Sequence, residues 1–152
     1  MSTEVVIVGG GIGGLVTANR ALQLGLSVTV LEAGEDENYL CNTRICGGVF
    51  HLAFQTVAQR PHMLRKAIED RTFGNASPDM VDMIVGNSHR VVPWLTAEGV
   101  QFVRGGPEQY QFYTLAPPKW NRPGLDYRGR SGDVLMRRLT ANLRHRGGAI
   151  RF

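Results

Sequence analysis

Apolar residues follow two periods along this chain, and each change of period marks an element. Val5-Val6-Ile7-Val8 is an unbroken β-branched run stopped by glycine, which predicts a strand of a parallel sheet buried on both faces. From Ile12 to Leu24 the period becomes helical, with Leu15, Ala18, Ala21 and Leu22 on one stripe and Gly25 at the C-cap. Ser27 to Leu31 is a second strand, in which Val28 and Val30 alternate with Ser27 and Thr29. Strand, helix and strand over residues 4–32 predict a βαβ unit, whose crossover requires a parallel pair.

Residues 33–50 are polar and glycine-rich, too long for a plain turn, and so form a candidate functional loop. A mostly helical insertion follows over residues 60–100. Its first helix is expected at Pro61 to Arg71. Its second is opened by Ser77 as N-cap, Pro78 at the first helical position and Asp79 in the first turn. That helix should face inward with Met80, Met83, Ile84 and Val91, kink or restart near Pro93, and end at Gly99. Residues 101–131 read as irregular, with strand-like pieces at 101–103 and 111–115 and a loop from Ala116 to Arg130. Residues 132–152 close the chain as helix and strand, with Leu135, Leu139 and Leu143 on one helical stripe.

Gly9-Gly10-Gly11-Ile12-Gly13-Gly14 satisfies G-x-G-x-x-G at Gly9, Gly11 and Gly14. The first glycine allows a tight turn off the strand, the second lets backbone approach a pyrophosphate, and the third lets helix and strand pack closely. Phosphates then meet the helix N-terminus, whose unpaired N–H groups and dipole favour negative charge. The motif is specific here because it lies between a strand and a helix and is answered by Glu32. That acid lies 18 residues after Gly14, where a carboxylate can hydrogen-bond an adenosine ribose. A carboxylate there would repel the 2′-phosphate of NADP.

Composition narrows the picture a little further. The chain has 152 residues, enough for one core, and 19 glycines that cluster where backbone needs them. A net charge of +4 suits a pyrophosphate site and is too small to argue for nucleic acid. Two cysteines cannot make a disulfide framework, no stretch has the roughly 18 apolar residues of a membrane helix, and no cleavable leader is expected from Met1 to Glu4, which run directly into a strand-like segment. A cytoplasmic location is the expectation. Cys41, Cys46 and His51 are spaced C-x4-C-x4-H, which lacks the four ligands and tight first pair of structural zinc, so no metal is expected. The arginines from Arg128 to Arg146 read as a solvated basic face.

The loop after Glu32 carries a resemblance. Asn42-Thr43 and Gly47-Gly48 are similar to the second FAD-contacting stretch of the flavoprotein family of fumarate reductase, the succinate dehydrogenase flavoprotein subunit and tricarballylate dehydrogenase. Cys41 departs from it, standing where that pattern has glycine. Pro93-Trp94-Leu95 through Gly99-Val100 and Gly129-Arg130-Ser131-Gly132 extend the resemblance over nearly the whole chain.

The resemblance implies an α/β fold: the N-terminal part of a Rossmann-like FAD-binding domain, with a parallel sheet and flanking helices. It implies noncovalent FAD, because no histidine stands before Gly47-Gly48. The expected FAD contacts are Gly9, Gly10, Gly11, Gly13, Gly14, Glu32, Ala33, Asn42, Thr43, Gly47 and Gly48. Arg44 and His51 would lie toward the isoalloxazine. Family members are about three times longer, so catalytic residues and a substrate domain are expected beyond residue 152, and this chain reads as an N-terminal fragment of the enzyme, inactive on its own. The implied activity is hydride transfer between flavin N5 and a carbon next to a carboxylate or carbonyl. The substrate would be a small carboxylate or enone, and the electron partner is not legible. A flavin amine or hydroxy-acid oxidase, and a dinucleotide-binding module without catalysis, are the alternatives.

Overall fold

The computed structural model describes residues 4–116 and 128–152. In chain order the elements are β1 (Glu4–Val8), α1 (Ile12–Gln23), β2 (Ser27–Leu31), α2 (Asn42–Ile45), β3 (His51–Leu52), β4 (Gln55–Thr56) and α3 (Pro61–Thr72). There follow α4 (Pro78–Ala97), β5 (Phe102–Val103), a 3-10 turn (Gln109–Gln111), β6 (Thr114–Leu115), α5 (Ser131–His145) and β7 (Ala149–Arg151). The chain divides into two compact units: Met1–Gly47 with Pro117–Phe152, and Gly48–Ala116. Most of the loop expected from Ala116 to Arg130 lies outside the described residues.

In the first unit, β1, β2 and β7 form a parallel sheet in the order β1-β2-β7. Val5 pairs with Val28, and Ile7 with Val30, which in turn pairs with Ile150. α1 packs on this sheet and α5 packs against α1, the arrangement that right-handed crossovers stepping in one direction would give. The helices are joined there by Asn19, fully buried, whose Nδ2 donates to the Leu15 carbonyl at 2.9 Å and the Leu139 carbonyl at 3.0 Å. Leu15, Ala18, Val28, Val30, Leu139 and Leu143 fill the core of this unit.

The sheet's other face differs from expectation. Val6 and Val8 are 56% and 85% exposed while Val5 and Ile7 are half-buried, so β1 is covered on one face only among the described residues. The run of four β-branched residues reports that both faces suit burial, but α1 and α5 lie on the same side.

The second unit is built on α3 and α4, with Leu64, Val81 and Val85 buried and Leu52, Ile68 and Ala76 packed around them. The inward stripe of α4 is Val81, Val85, Ser88 and Leu95, whereas Met80, Met83 and Val91 are exposed. Two overlapping stripes were available in the sequence. One runs from Val81 through Ser88 to Leu95 and the other from Met80 through Asn87 to Val91, and it is the former that turns inward. Nor does α4 restart at Pro93: it continues to Ala97. Pro93 has no N–H for the His89 carbonyl, but both residues are exposed, and water can take that acceptor. Ser77 is the N-cap residue as expected, although its hydroxyl makes no capping bond.

Two antiparallel ribbons, β3–β4 and β5–β6, complete this unit. The segment expected as strand from 111 to 115 is strand only at Thr114–Leu115. Between β3 and β4 the turn residues Ala53 and Phe54 have φ of 48° and 64°. Stacking of His51 on Phe54 at 5.3 Å and the Arg71 guanidinium 4.7 Å from the Phe54 ring centre hold that turn. Among the described residues no helix is long and apolar enough to cross a membrane.

Candidate dinucleotide site

Gly9 leaves β1 with φ 94° while its N–H donates to the Leu31 carbonyl at 2.7 Å, turning the chain sharply from strand toward helix. Gly11 is the N-cap of α1, with no side-chain capping bond and no acid in the first turn. The helix therefore presents its N-terminal N–H groups and positive dipole end without a built-in anion. A Cβ on Gly14 would lie 1.9 Å from the Gly9 carbonyl oxygen, so only glycine lets α1 start this close to the end of β1. A Cβ on Gly11 or Gly13 would meet nothing within 4 Å. Their bare backbone borders open space, as an approach route for a diphosphate requires.

Glu32 follows β2 and grips the glycine loop. Its Oε2 accepts the Gly10 N–H at 2.6 Å, and its Oε1 accepts the Gly34 N–H at 3.0 Å. Each carboxylate oxygen has a second lone pair, so ribose hydroxyls can still donate to it. Tyr39, 5% exposed, donates its hydroxyl to the Gly10 carbonyl at 2.6 Å. Burial pushes the Tyr39 phenol up to about 12.

Thr43, the second residue of α2, accepts the Ile12 N–H on its Oγ1 at 3.3 Å and so stands at the N-terminus of α1. That position is secured from beneath. Arg44, 1% exposed, is ion-paired with the equally buried Asp133 and donates to the Glu37 carbonyl at 2.6 Å. Asp133 also accepts Arg137 Nε at 2.9 Å and the Gly129 N–H at 3.0 Å. Burial alone would raise the Asp133 carboxyl. The Arg137 and Gly129 hydrogen bonds, with the charges of Arg137 and Arg44, outweigh it and hold the group below its ordinary value. A Cβ on Gly132 would lie 1.8 Å from the Thr43 carbonyl, so α5 begins directly against the backbone of α2.

The remaining expected contacts are placed as follows. Ala33 is exposed directly after Glu32, Asn42 is exposed at the start of α2, and Gly47 is exposed. Gly48 belongs to the second unit, where it is buried with φ 73° and its carbonyl accepts the Leu115 N–H at 2.8 Å. Arg44 is a buried cation, because a guanidinium with a carboxylate partner can lie in the core. His51 sits in β3, stacked on Phe54. The basic helix face is less free than expected: Arg144 pairs with Glu37 at 2.5 Å, and Arg146 donates to Asn19 Oδ1 at 2.6 Å. Sequence reading missed Tyr39 and Asp133. An aromatic residue inside a polar loop was the one available signal for Tyr39. The partner of Asp133 lies 89 residues away in the chain and left no local signal.

The residues fit the diphosphate and ribose of a dinucleotide: a helix N-terminus with no acid in its first turn, bare glycine backbone and a carboxylate at the strand end. Residues 4–151 match the family of the FAD binding domain. The chain belongs to that family. FAD is accordingly the cofactor that the FAD binding domain takes here. Nothing among curated proteins matches the sequence. Among solved structures, the chain resembles 3-ketosteroid-Δ4-(5α)-dehydrogenase from Rhodococcus jostii RHA1, in complex with 4-androstene-3,17-dione. The TM-score is 0.72 at 18% identity, over 98% of this chain and 38% of that one. A match to L-amino acid deaminase from Proteus myxofaciens, in complex with anthranilate, has TM-score 0.45 and 17% identity over 98% and 38% of the two chains. The chain thus spans 38% of the length of each solved structure. The first likeness is one of fold.

Proposed function

We propose that this chain is the FAD-binding part of a flavin-dependent oxidoreductase acting at a carbon–carbon bond next to a carboxylate or carbonyl. The observation that supports it most is the joint grip of Glu32 and Thr43 on the glycine loop, one at the Gly10 N–H and the other at the Ile12 N–H. Bound FAD would supply hydride exchange at its N5.

In this reading Gly9, Gly10, Gly11, Gly13 and Gly14 present backbone to the diphosphate. Glu32 and Ala33 receive the adenosine ribose, and Asn42, Thr43, Gly47 and Gly48 contact the flavin side. Binding is noncovalent. The α1 N-terminus neutralises phosphate charge, and the carboxylate of Glu32 orients the ribose and excludes a 2′-phosphate. Asp133, through Arg44, keeps α2 and hence Thr43 at that helix end. A small carboxylate or enone is the proposed substrate class, and a steroid enone is what the similar dehydrogenase binds in its complex. The cysteines Cys41 and Cys46 are free thiols, which suits a cytoplasmic setting.

The reaction class is tested on the reading frame that contains this chain. Its reduced flavin form is offered enoates and enones without oxygen, and its oxidised form is offered amines and 2-hydroxy acids. Reoxidation by the unsaturated compounds is expected. Reduction by amines or 2-hydroxy acids alone would assign an oxidase instead.

A further inference from the structure

We propose that Tyr39 is a positioning residue that latches the phosphate loop, a role resting on the reading of that loop as the FAD site. Gly10 is held at both of its peptide groups. Its N–H donates to Glu32 at 2.6 Å, and its carbonyl accepts the Tyr39 hydroxyl at 2.6 Å. In a planar trans peptide the N–H of the next residue points opposite to the carbonyl. Tyr39 therefore fixes the direction of the Gly11 N–H, the last backbone donor before α1, beside the open space at Gly11.

Tyr39 is built in for this. Its ring packs against Phe152 at 5.9 Å between centroids, and the Arg44 guanidinium stands 4.8 Å from the ring centre. Arg44 is itself fixed by Asp133. Space for the base of the Tyr39 side chain comes from Gly34, where a Cβ would lie 2.2 Å from Tyr39 Cβ. Space for the hydroxyl comes from Gly10, where a Cβ would lie 2.7 Å from Tyr39 Oη. Gly10 is one of the variable positions of G-x-G-x-x-G, so the motif alone gives no reason for glycine there. The latch does. With its pKa near 12, the phenol remains a donor throughout the physiological range.

The test is Tyr39→Phe in the full chain, which deletes the hydroxyl and keeps the ring. The Gly11 amide resonance should shift and broaden, and the dissociation constant for FAD should rise about 3- to 10-fold, the worth of one neutral hydrogen bond. An unchanged Gly11 amide overturns the latch whether or not FAD binds. A shifted Gly11 amide with unchanged FAD affinity overturns its role in binding. Failure of the wild-type chain to take up FAD counts against the site reading alone, and the amide result still judges the latch. Should the variant not fold, the wild-type spectrum decides. A slowly exchanging Tyr39 hydroxyl proton close to the Gly10 α-protons is expected, and its absence overturns the proposal.

Discussion

The carboxylate of Glu32 meets the backbone N–H of Gly10 at 2.6 Å, which ties the end of the second strand to the turn that leaves the first. Glu32 thus shapes the loop, and in the proposed site it also offers acceptors to a ribose. Glu32→Ala removes both and should weaken FAD binding by about tenfold or more, since hydrogen bonds to a charged group are worth about 1.5–3 kcal/mol. Glu32→Gln, which keeps acceptor capacity without charge, should fall between it and the wild type. Equilibrium dialysis against FAD measures the series, and equal affinities for all three would remove Glu32 from the site.

Gly11 and Gly14 separate binding from folding. A methyl group on Gly14 collides with the Gly9 carbonyl, so Gly14→Ala should cost about 1–3 kcal/mol of stability or more. Gly11 has φ −65° and ψ −178°, open to any residue, and free space where its Cβ would be. Gly11→Ala should leave urea unfolding within about 0.5 kcal/mol of wild type while weakening FAD binding. The reverse pattern would mean that the open space beside Gly11 is not the diphosphate route.

Asp133 connects stability to pH. Asp133→Leu would leave Arg44 charged and buried, at a cost of about 3–5 kcal/mol, read from the urea midpoint. The folded-state pKa of Asp133 lies below its ordinary 3.8. Its contribution is therefore complete above that value and disappears as pH falls through the lower, folded value. Wild-type stability should drop below about pH 4 more steeply than that of the Leu variant. Parallel pH profiles would show that the pair contributes no such linkage.

The βαβ unit was legible because its signals are local: a β-branched run, a helical stripe and glycines at turns. Glu32 was legible for the same reason, standing at a fixed spacing from Gly14. What the sequence concealed depends on packing between distant segments. The pairing of Arg44 with Asp133 spans 89 residues, and the exposure of Val6 and Val8 follows from α1 and α5 lying on one face of the sheet. The stripe of α4 was misread because Met80 and Val81 begin two overlapping apolar faces, and periodicity does not rank them. Tyr39 sits in a loop without period, and its partner is a backbone carbonyl, which no residue type announces.

The most direct test of the central claim is the visible spectrum of the purified chain after incubation with FAD and removal of free cofactor, followed by acid denaturation. The account predicts flavin absorption that travels with the protein, and free FAD in the acid supernatant. Colourless protein, with all the FAD in the small-molecule fraction, would contradict it.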